Sequence, residues 1–183
     1  RGYKVIGINR SSPKDIYFWP WVKSFIRKEN WFEFNLLDDN DNIINVIKKF
    51  KPEIIIDLMG QGMVAPSWKD PELWYQTNIS SKSKIIQSFL NLDSLSKYIR
   101  ASTPEVYGSS KSLIKESSSF NPSTPYAVSH SAIDMHLRCL GKQYQFPYLI
   151  GRFANFYGQG QQLYRVIPKL FLSCLTKKNF TLD

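Results

Sequence analysis

Short apolar runs alternate along the chain with stretches whose apolar positions recur at helical spacing. The runs are typical of β-strands and cover residues 3–8, 31–34, 53–58, 98–102 and 147–151. Strands and helices in alternation predict crossover units, and therefore an α/β fold with a parallel sheet and helices on both faces. The continuous apolar run at 54–56 is typical of a strand that is buried on both faces.

Three helices are predicted between these strands, at residues 42–50, 71–90 and 125–140. The first is amphipathic, and its apolar face comprises Ile43, Val46, Ile47 and Phe50. The third has clear end signals, which are Thr124 as the N-cap, Pro125 in the first turn and Gly141 just beyond the end. The serine-rich stretch at 109–124 is predicted to be a surface loop near the site.

Composition places the chain among globular proteins, because 43% of its 183 residues are apolar. The net charge of +9 would suit an anionic ligand such as a dinucleotide or a sugar diphosphate, or else a nucleic acid. Since the basic residues are scattered and no nucleic-acid motif accompanies them, a solvated basic surface is favoured and no nucleic-acid partner is expected. No apolar run is long enough to cross a membrane, so no membrane partner is expected either.

The chain has two cysteines, Cys139 and Cys174, and both lie in helix-like stretches. Their separation does not match the spacing of metal ligands. We therefore expect buried free thiols in a cytoplasmic protein that binds no metal.

Two linked motifs carry the candidate chemistry. Thr103 and Glu105 come directly after a predicted strand, and Tyr126 and His130 lie on the third predicted helix. Because residues four apart in a helix share a face, the phenol and the imidazole are expected side by side. A hydroxyl, a carboxylate and a phenol at this spacing suit a redox site on a nucleotide-binding sheet.

These motifs and the turn at 151–158 resemble the extended short-chain dehydrogenase/reductase family, in its NAD-dependent epimerase/dehydratase branch. The resemblance implies a Rossmann-like fold, NADP or NAD as cofactor, and a nucleotide-diphosphate sugar as substrate. It also implies that Tyr126 exchanges a proton with the sugar as hydride moves. The family pattern is Tyr-x-x-x-Lys, in which the lysine lowers the pKa of the phenol and holds the nicotinamide ribose.

His130 stands where the family carries that lysine. An imidazole can hydrogen-bond a ribose hydroxyl, but near neutral pH it is charged only part of the time. We therefore expect His130 to activate Tyr126 less well than a lysine would, and with a different pH profile. A lysine substituted at position 130 is expected to raise activity near neutral pH.

The resemblance also implies roles for the first motif. Thr103 would hydrogen-bond the substrate oxygen at the reacting carbon, and Glu105 would remove the C5 proton, as in 4,6-dehydratases. Pro104 stands where dTDP-glucose dehydratases carry an acid. The prediction is a dehydratase or epimerase of nucleotide sugars that works through transient oxidation at C4, with a 4,6-dehydratase favoured. A 4-epimerase, a decarboxylase and a non-catalytic binding or scaffold protein of the same fold stay open.

Further positions are matched to cofactor and substrate. Arg10 and Ser11 follow the first predicted strand and suit a 2′-phosphate, which favours NADP over NAD. Other cofactor contacts are implied at Asn35 and Leu36, beside the adenine, and at Leu58, Met59 and Gly60, where the backbone passes the cofactor. Substrate contacts are implied at Asn155, with Arg165 and Lys169 as candidates for phosphate binding.

No glycine-rich turn follows the first predicted strand, and that strand resembles the second strand of the family fold. We therefore expect a fragment cut at both ends. Residues 1–158 would form a partial dinucleotide-binding domain that is incomplete at its N-terminus, and residues 159–183 would begin a substrate-binding region. The resemblance further implies a homodimer at full length, formed through the helices around Trp74 and Tyr126.

Overall fold

The computed structural model describes residues 2–11, 30–154, 156–158 and 161–180. Its strands are β1 (Gly7–Asn9), β2 (Trp31–Glu33), β3 (Ile54–Asp57), β4 (Lys97–Ser102) and β5 (Tyr148–Arg152). Its α-helices are α1 (Asn40–Phe50), α2 (Val64–Lys69), α3 (Pro71–Tyr75), α4 (Lys82–Gln87), α5 (Pro125–Tyr144) and α6 (Val166–Thr176). A π-helix at Gln76–Ser81 joins α3 to α4, and a 3₁₀-helix at Pro104–Tyr107 follows β4.

Strands β3, β4 and β5 form a parallel sheet in that order, with Ile56 opposite Ile99 and Ile99 opposite Leu149. Strands β1 and β2 pair in a second sheet. The predicted α/β class with a parallel sheet is confirmed. Two small sheets in place of one continuous sheet are what an incomplete Rossmann-like fold would show.

Helices α1, α4 and α5 and strand β4 contribute most of the core. Helix α1 buries Ile43, Ile44 and Ile47, so two residues of the predicted face are buried, while its other two, Val46 and Phe50, are half-buried. Ile86, Ile133 and Leu137 are fully buried in the same cluster. The core therefore lies on the side of the sheet toward which Ile55 and Tyr98 point.

Strand β3 is apolar throughout but buries only one face. Ile55 packs against the core cluster, whereas Ile54 is 48% exposed and Ile56 is 64% exposed. The expectation that both faces of the run at 54–56 are buried is wrong, because alternate side chains of a strand point to opposite faces and only one face meets the core.

The long predicted helices exist but differ in detail. The segment predicted as one helix at 71–90 is α3, the π-helix and α4, which end at Gln87. Helix α5 begins as predicted at Pro125 but runs on to Tyr144, and Gln145 in the left-handed conformation closes it. Gly141 lies inside α5, where the added Cβ of another residue would collide with the ring of Tyr148. This glycine permits close packing of helix on strand and does not cap the helix.

Both cysteines, Cys139 and Cys174, are exposed, so the expectation of buried thiols is wrong. Each lies on a helix, as predicted, but on its solvent side. Among the helices of the described part of the chain, none combines the length and apolar character that a membrane crossing requires.

The chain divides into two compact units. Residues 8–10 and 33–154 form one unit, which holds the three-stranded sheet. The other contains α6 and the remaining described residues, and α6 has no buried residue. The predicted domain boundary at residue 158 stays a prediction.

Candidate active site

The first motif occupies the turn that leaves β4. Thr103 is buried and caps the 3₁₀-helix, since its Oγ1 accepts a hydrogen bond from the backbone N–H of Glu105 at 3.2 Å. Gly108 ends this helix at φ +71°, and an added Cβ there would collide with the carbonyl oxygen of Asn121. The turn is therefore fixed at both ends, and Glu105 is held exposed at its surface.

The second motif opens α5. The Thr124 hydroxyl accepts a hydrogen bond from the N–H of Ala127 at 3.1 Å, as its predicted N-cap role requires. The N–H of Tyr126, one residue earlier, donates to Ser67 Oγ at 3.2 Å. Ser67 is fully buried on α2 and donates in turn to the carbonyl of Val64 at 2.6 Å. A serine from a separate helix thus anchors the turn that carries Tyr126.

Tyr126 and His130 lie side by side, as their spacing predicts. Their ring centroids are 4.5 Å apart, at an interplanar angle of 54°. Between them in sequence, Ser129 accepts a hydrogen bond from Asn78 of the π-helix at 3.0 Å. Asn78 also accepts from the N–H of Gln61 at 2.8 Å, which joins α5 to the loop after β3.

A buried charged cluster lies beneath this pair. Asp57, at the end of β3, accepts hydrogen bonds from Lys82 Nζ at 2.7 and 2.8 Å. The same carboxylate accepts from the Tyr98 hydroxyl at 2.8 Å and from Arg100 at 3.3 Å. Burial disfavours the Asp57 carboxylate, yet Lys82 and Arg100 outweigh this and hold its pKa below the usual value.

The cluster continues into α5 and β5. Asp134 is fully buried and accepts hydrogen bonds from Arg100 at 3.3 Å, from Arg152 at 2.9 Å and from Ser102 at 2.9 Å. Arg152 reaches on to the Tyr107 hydroxyl at 3.1 Å, on the 3₁₀-helix. The cluster therefore connects both motifs through a single set of ionic hydrogen bonds.

His130 touches this cluster directly, since Arg100 lies 3.2 Å from its Nδ1. Burial lowers the pKa of His130, and the nearby Arg100 and Lys82 lower it further, to about 3. The expectation that His130 is partly charged near neutral pH is therefore wrong. Two buried cations already occupy the space behind the ring, so the imidazole is neutral there.

Two other site groups have shifted pKa values. Burial lowers the pKa of Lys82, and repulsion by Arg100 adds to this, so that even with Asp57 as partner the value is about 8. Partial desolvation raises the pKa of the Glu105 carboxyl. A carboxyl with a raised pKa is a better proton acceptor once it is ionised.

The sequence profile of the NAD dependent epimerase/dehydratase family matches residues 1–182. The chain belongs to this family. A dTDP-D-glucose 4,6-dehydratase of Dictyostelium discoideum is 30% identical over 172 residues, which are 86% of this chain and 39% of that protein. A GDP-mannose 4,6-dehydratase of Vibrio cholerae is 30% identical over 140 residues, covering 70% of this chain and 36% of the relative. The chain thus spans roughly two fifths of these relatives.

Solved structures of the family share the fold. A UDP-glucuronic acid 4-epimerase from Bacillus cereus superimposes with a TM-score of 0.79 at 22% identity, over 96% of this chain and 56% of the other. A dTDP-glucose 4,6-dehydratase from Bacillus anthracis, in complex with NAD, gives a TM-score of 0.75 at 24% identity, over 97% and 54%. These likenesses establish the Rossmann-like fold.

Among the positions predicted to contact the cofactor, those in the loop after β3 best allow a ligand to approach the backbone closely. Gly60 has φ +142°, and an added Cβ would lie 2.7 Å from Asn78 Oδ1, so the bare backbone is required there. Leu58 is 73% exposed at the carboxyl end of the sheet, where ligands of this fold bind. Met59 instead packs against the core cluster.

The positions after β1 and β2 differ in character. Arg10 and Ser11 are exposed, as a phosphate contact would require. Leu36 is buried in the core cluster, so its side chain serves packing. The side chain of Asn35 holds its own turn, because it accepts from the N–H of Leu37 at 3.2 Å and donates to Asp38 at 2.7 Å.

The candidate phosphate-binding residues each lie against an aromatic ring. Arg165 precedes α6 and stacks on Tyr164, with 5.4 Å from guanidinium carbon to ring centroid. Lys169 lies 5.8 Å above the ring of Phe180. Both belong to the second compact unit, and their phosphate-binding role stays a prediction. Asn155 lies outside the described residues.

The charged cluster is what reasoning from the sequence missed. Its members are Asp57, Lys82, Arg100, Asp134 and Arg152. A usable signal was present, because an aspartate ends the run at 54–57 and an arginine interrupts β4. Charged residues inside buried strands are almost always paired, so each one predicts a partner.

Proposed function

We propose that this protein is an NADP- or NAD-dependent dehydratase or epimerase of nucleotide sugars that acts through transient oxidation at C4. Within that group we favour a 4,6-dehydratase. The observation that carries the proposal is the placement of Tyr126 against His130 on α5, with the Thr103–Glu105 turn joined to the same helix through Asp134 and Arg152. Names of the matched relatives support the substrate class.

Tyr126 is proposed to accept the proton of the C4 hydroxyl as the C4 hydride leaves. Among the described residues the Thr103 hydroxyl is engaged only as an acceptor, in capping the 3₁₀-helix, so its hydrogen is available for donation. That hydrogen can be donated to the same substrate oxygen. NADP or NAD, when bound, supplies the hydride acceptor and returns the hydride in the same turnover.

Glu105 favours the dehydratase within this group. Oxidation at C4 makes the C5 proton acidic, and an exposed carboxylate with a raised pKa suits its removal. Pro104 offers no acid for the leaving C6 hydroxyl, so the acid would come from elsewhere in the protein. A 4-epimerase or a decarboxylase is the alternative if Glu105 is not required.

Cofactor contacts are proposed at His130, at the backbone of Gly60 and at Leu58. Arg10 and Ser11, both exposed after β1, are proposed to favour NADP. Homodimerisation at full length and a cytoplasmic location belong to the same proposal.

The test is turnover of a panel of nucleotide sugars with NADP and NAD, followed by the appearance of a 4-keto product. Tyr126→Phe should lower the rate by about 100-fold or more, because the proton acceptor is lost. Tyr144→Phe, at an exposed tyrosine of the same helix, is the matched control and should leave the rate unchanged.

A Glu105→Gln variant separates the subclasses. It should still oxidise C4 and reduce the cofactor, while losing exchange of the C5 proton with deuterated solvent. Retention of that exchange would reject the dehydratase. Cofactor binding without turnover of any sugar would support the non-catalytic alternative.

A further inference from the structure

Three cations and two carboxylates meet in the buried cluster beneath His130, which leaves one positive charge in excess. The members are Lys82, Arg100 and Arg152 with Asp57 and Asp134, and no side chain among them is more than 14% exposed. They come from β3, α4, β4, α5 and β5. The site thus contains a fixed positive charge, although position 130 carries none.

The guanidinium of Arg100 has three separate partners. Its Nε donates to Asp134 at 3.3 Å, its NH1 donates to Asp57 at 3.3 Å, and its NH2 lies 3.2 Å from Nδ1 of His130. The two carboxylates fix the plane of the guanidinium, and the plane directs NH2 at the imidazole.

An arginine side chain only donates hydrogen bonds. Nδ1 of His130 must therefore accept, and a neutral imidazole that accepts at Nδ1 carries its hydrogen on Nε2. A protonated imidazole would turn an N–H of its own toward the N–H of Arg100. The contact is compatible with one neutral tautomer.

We propose that Arg100 is a positioning residue that holds His130 as the neutral Nε2–H tautomer, so that His130 is a fixed hydrogen-bond donor and Arg100 carries the positive charge of the site. The target of that donor, a ribose hydroxyl or the Tyr126 phenolate, rests on the proposed function. The tautomer itself does not.

The groups around His130 agree with this assignment. Asp57 faces the cluster from β3, Lys82 from α4, Tyr98 from β4 and Asp134 from α5. Both carboxylates are engaged by cations, so neither is free to accept a proton from the imidazole.

The arrangement reverses the expected effect of a lysine at position 130. His130→Lys would add an ammonium beside Arg100 and Lys82, and like charges in a buried cluster repel. Arg100→Met leaves the ion pairs Asp57–Lys82 and Asp134–Arg152, and the charges within each pair cancel. In that background a lysine at 130 restores the single excess charge.

The direct test is nitrogen NMR of the protein labelled with ¹⁵N-histidine. The chain has only two histidines, so His136 serves as an internal reference. His130 should show a protonated Nε2 and an unprotonated Nδ1 from about pH 5 to 8. An Nδ1–H tautomer, or titration near the ordinary value of about 6.5, would overturn the proposal.

Arg100→Met removes the donor and should give mixed tautomers with a midpoint raised by about one pH unit or more. Arg138→Met removes an arginine of the same region that contacts Phe120, and should leave His130 unchanged. Unaltered His136 signals show that the variant is folded. An unchanged His130 in folded Arg100→Met contradicts the proposal, and the wild-type measurement decides it if the variant unfolds.

An activity arm uses the same variants. His130→Lys alone should lower kcat, and the double variant with Arg100→Met should recover part of the loss. A His130→Lys protein at least as active as the wild type would refute the charge placement. Absence of all turnover, with the Nε2–H tautomer observed, would count against the proposed function and leave the tautomer assignment intact.

Discussion

His130 makes the folded state sensitive to acid. Its pKa is about 3 in the folded protein, and an unfolded histidine titrates near 6.5. Between these values the unfolded chain binds a proton that the folded chain does not. The free energy of unfolding contributed by this residue is therefore complete above about pH 6.5 and is lost as the pH falls toward 3.

We expect a slope of up to about 1.4 kcal/mol per pH unit between roughly pH 4.5 and 6.5 in urea unfolding. His130→Gln should flatten this slope, because an amide oxygen can accept from Arg100 and cannot be protonated in this range. This pH range lies above the pKa of the Asp57 carboxyl, which Lys82 and Arg100 hold below its usual value. His136→Gln is the control and should keep most of the slope, and an equal slope in wild type and His130→Gln would contradict the assignment.

At the scale of the element, the start of α5 depends on α2. Ser67 is fully buried and its hydroxyl accepts from the N–H of Tyr126 and donates to the carbonyl of Val64. Ser67→Ala removes both hydrogen bonds, each worth about 0.5–1.5 kcal/mol, so the free energy of unfolding should fall by about 1–3 kcal/mol. Thermal and urea unfolding measure this, with the exposed loop residue Ser118→Ala as the control. Equal losses in the two variants would show that the anchor is unimportant.

The elements show what the sequence could predict. Helix α5 was predicted at its start because Thr124 and Pro125 act locally, through the backbone groups beside them. Its end was misplaced because Gly141 is required by Tyr148, a residue beyond the helix. The π-helix was missed since its extra residue per turn leaves no distinct pattern of apolar positions.

The same distinction between local and long-range causes applies to the candidate site. The side-by-side placement of Tyr126 and His130 follows from helix geometry alone, and it was predicted. The charge state of His130 depends on Arg100 and Lys82, which come from β4 and α4, and no local pattern links them to position 130. Long-range packing decides the electrostatics, and the sequence shows only that charged residues interrupt apolar segments.

At the scale of the whole molecule, one face of the three-stranded sheet exposes apolar side chains that can promote self-association. Ile54 and Ile56 on β3 and Leu149 on β5 are each about half exposed or more. Contiguous exposed apolar surface promotes association. Ile56→Thr should therefore lower light scattering at fixed concentration while changing the free energy of unfolding by less than about 0.5 kcal/mol. Leu175→Thr, at an 80% exposed position on α6, is the control. A large loss of stability in Ile56→Thr would show that the face is covered.

The buried charged cluster also restricts the order in which substitutions can accumulate. It ties together residues from five elements, and three cations share two carboxylates that are distant from them in sequence. A lineage in which lysine replaces His130 would first have to replace Arg100 with an uncharged residue. The reverse order passes through a protein with two uncompensated buried positive charges. The order of the two substitutions therefore matters, although the two end points carry the same net charge.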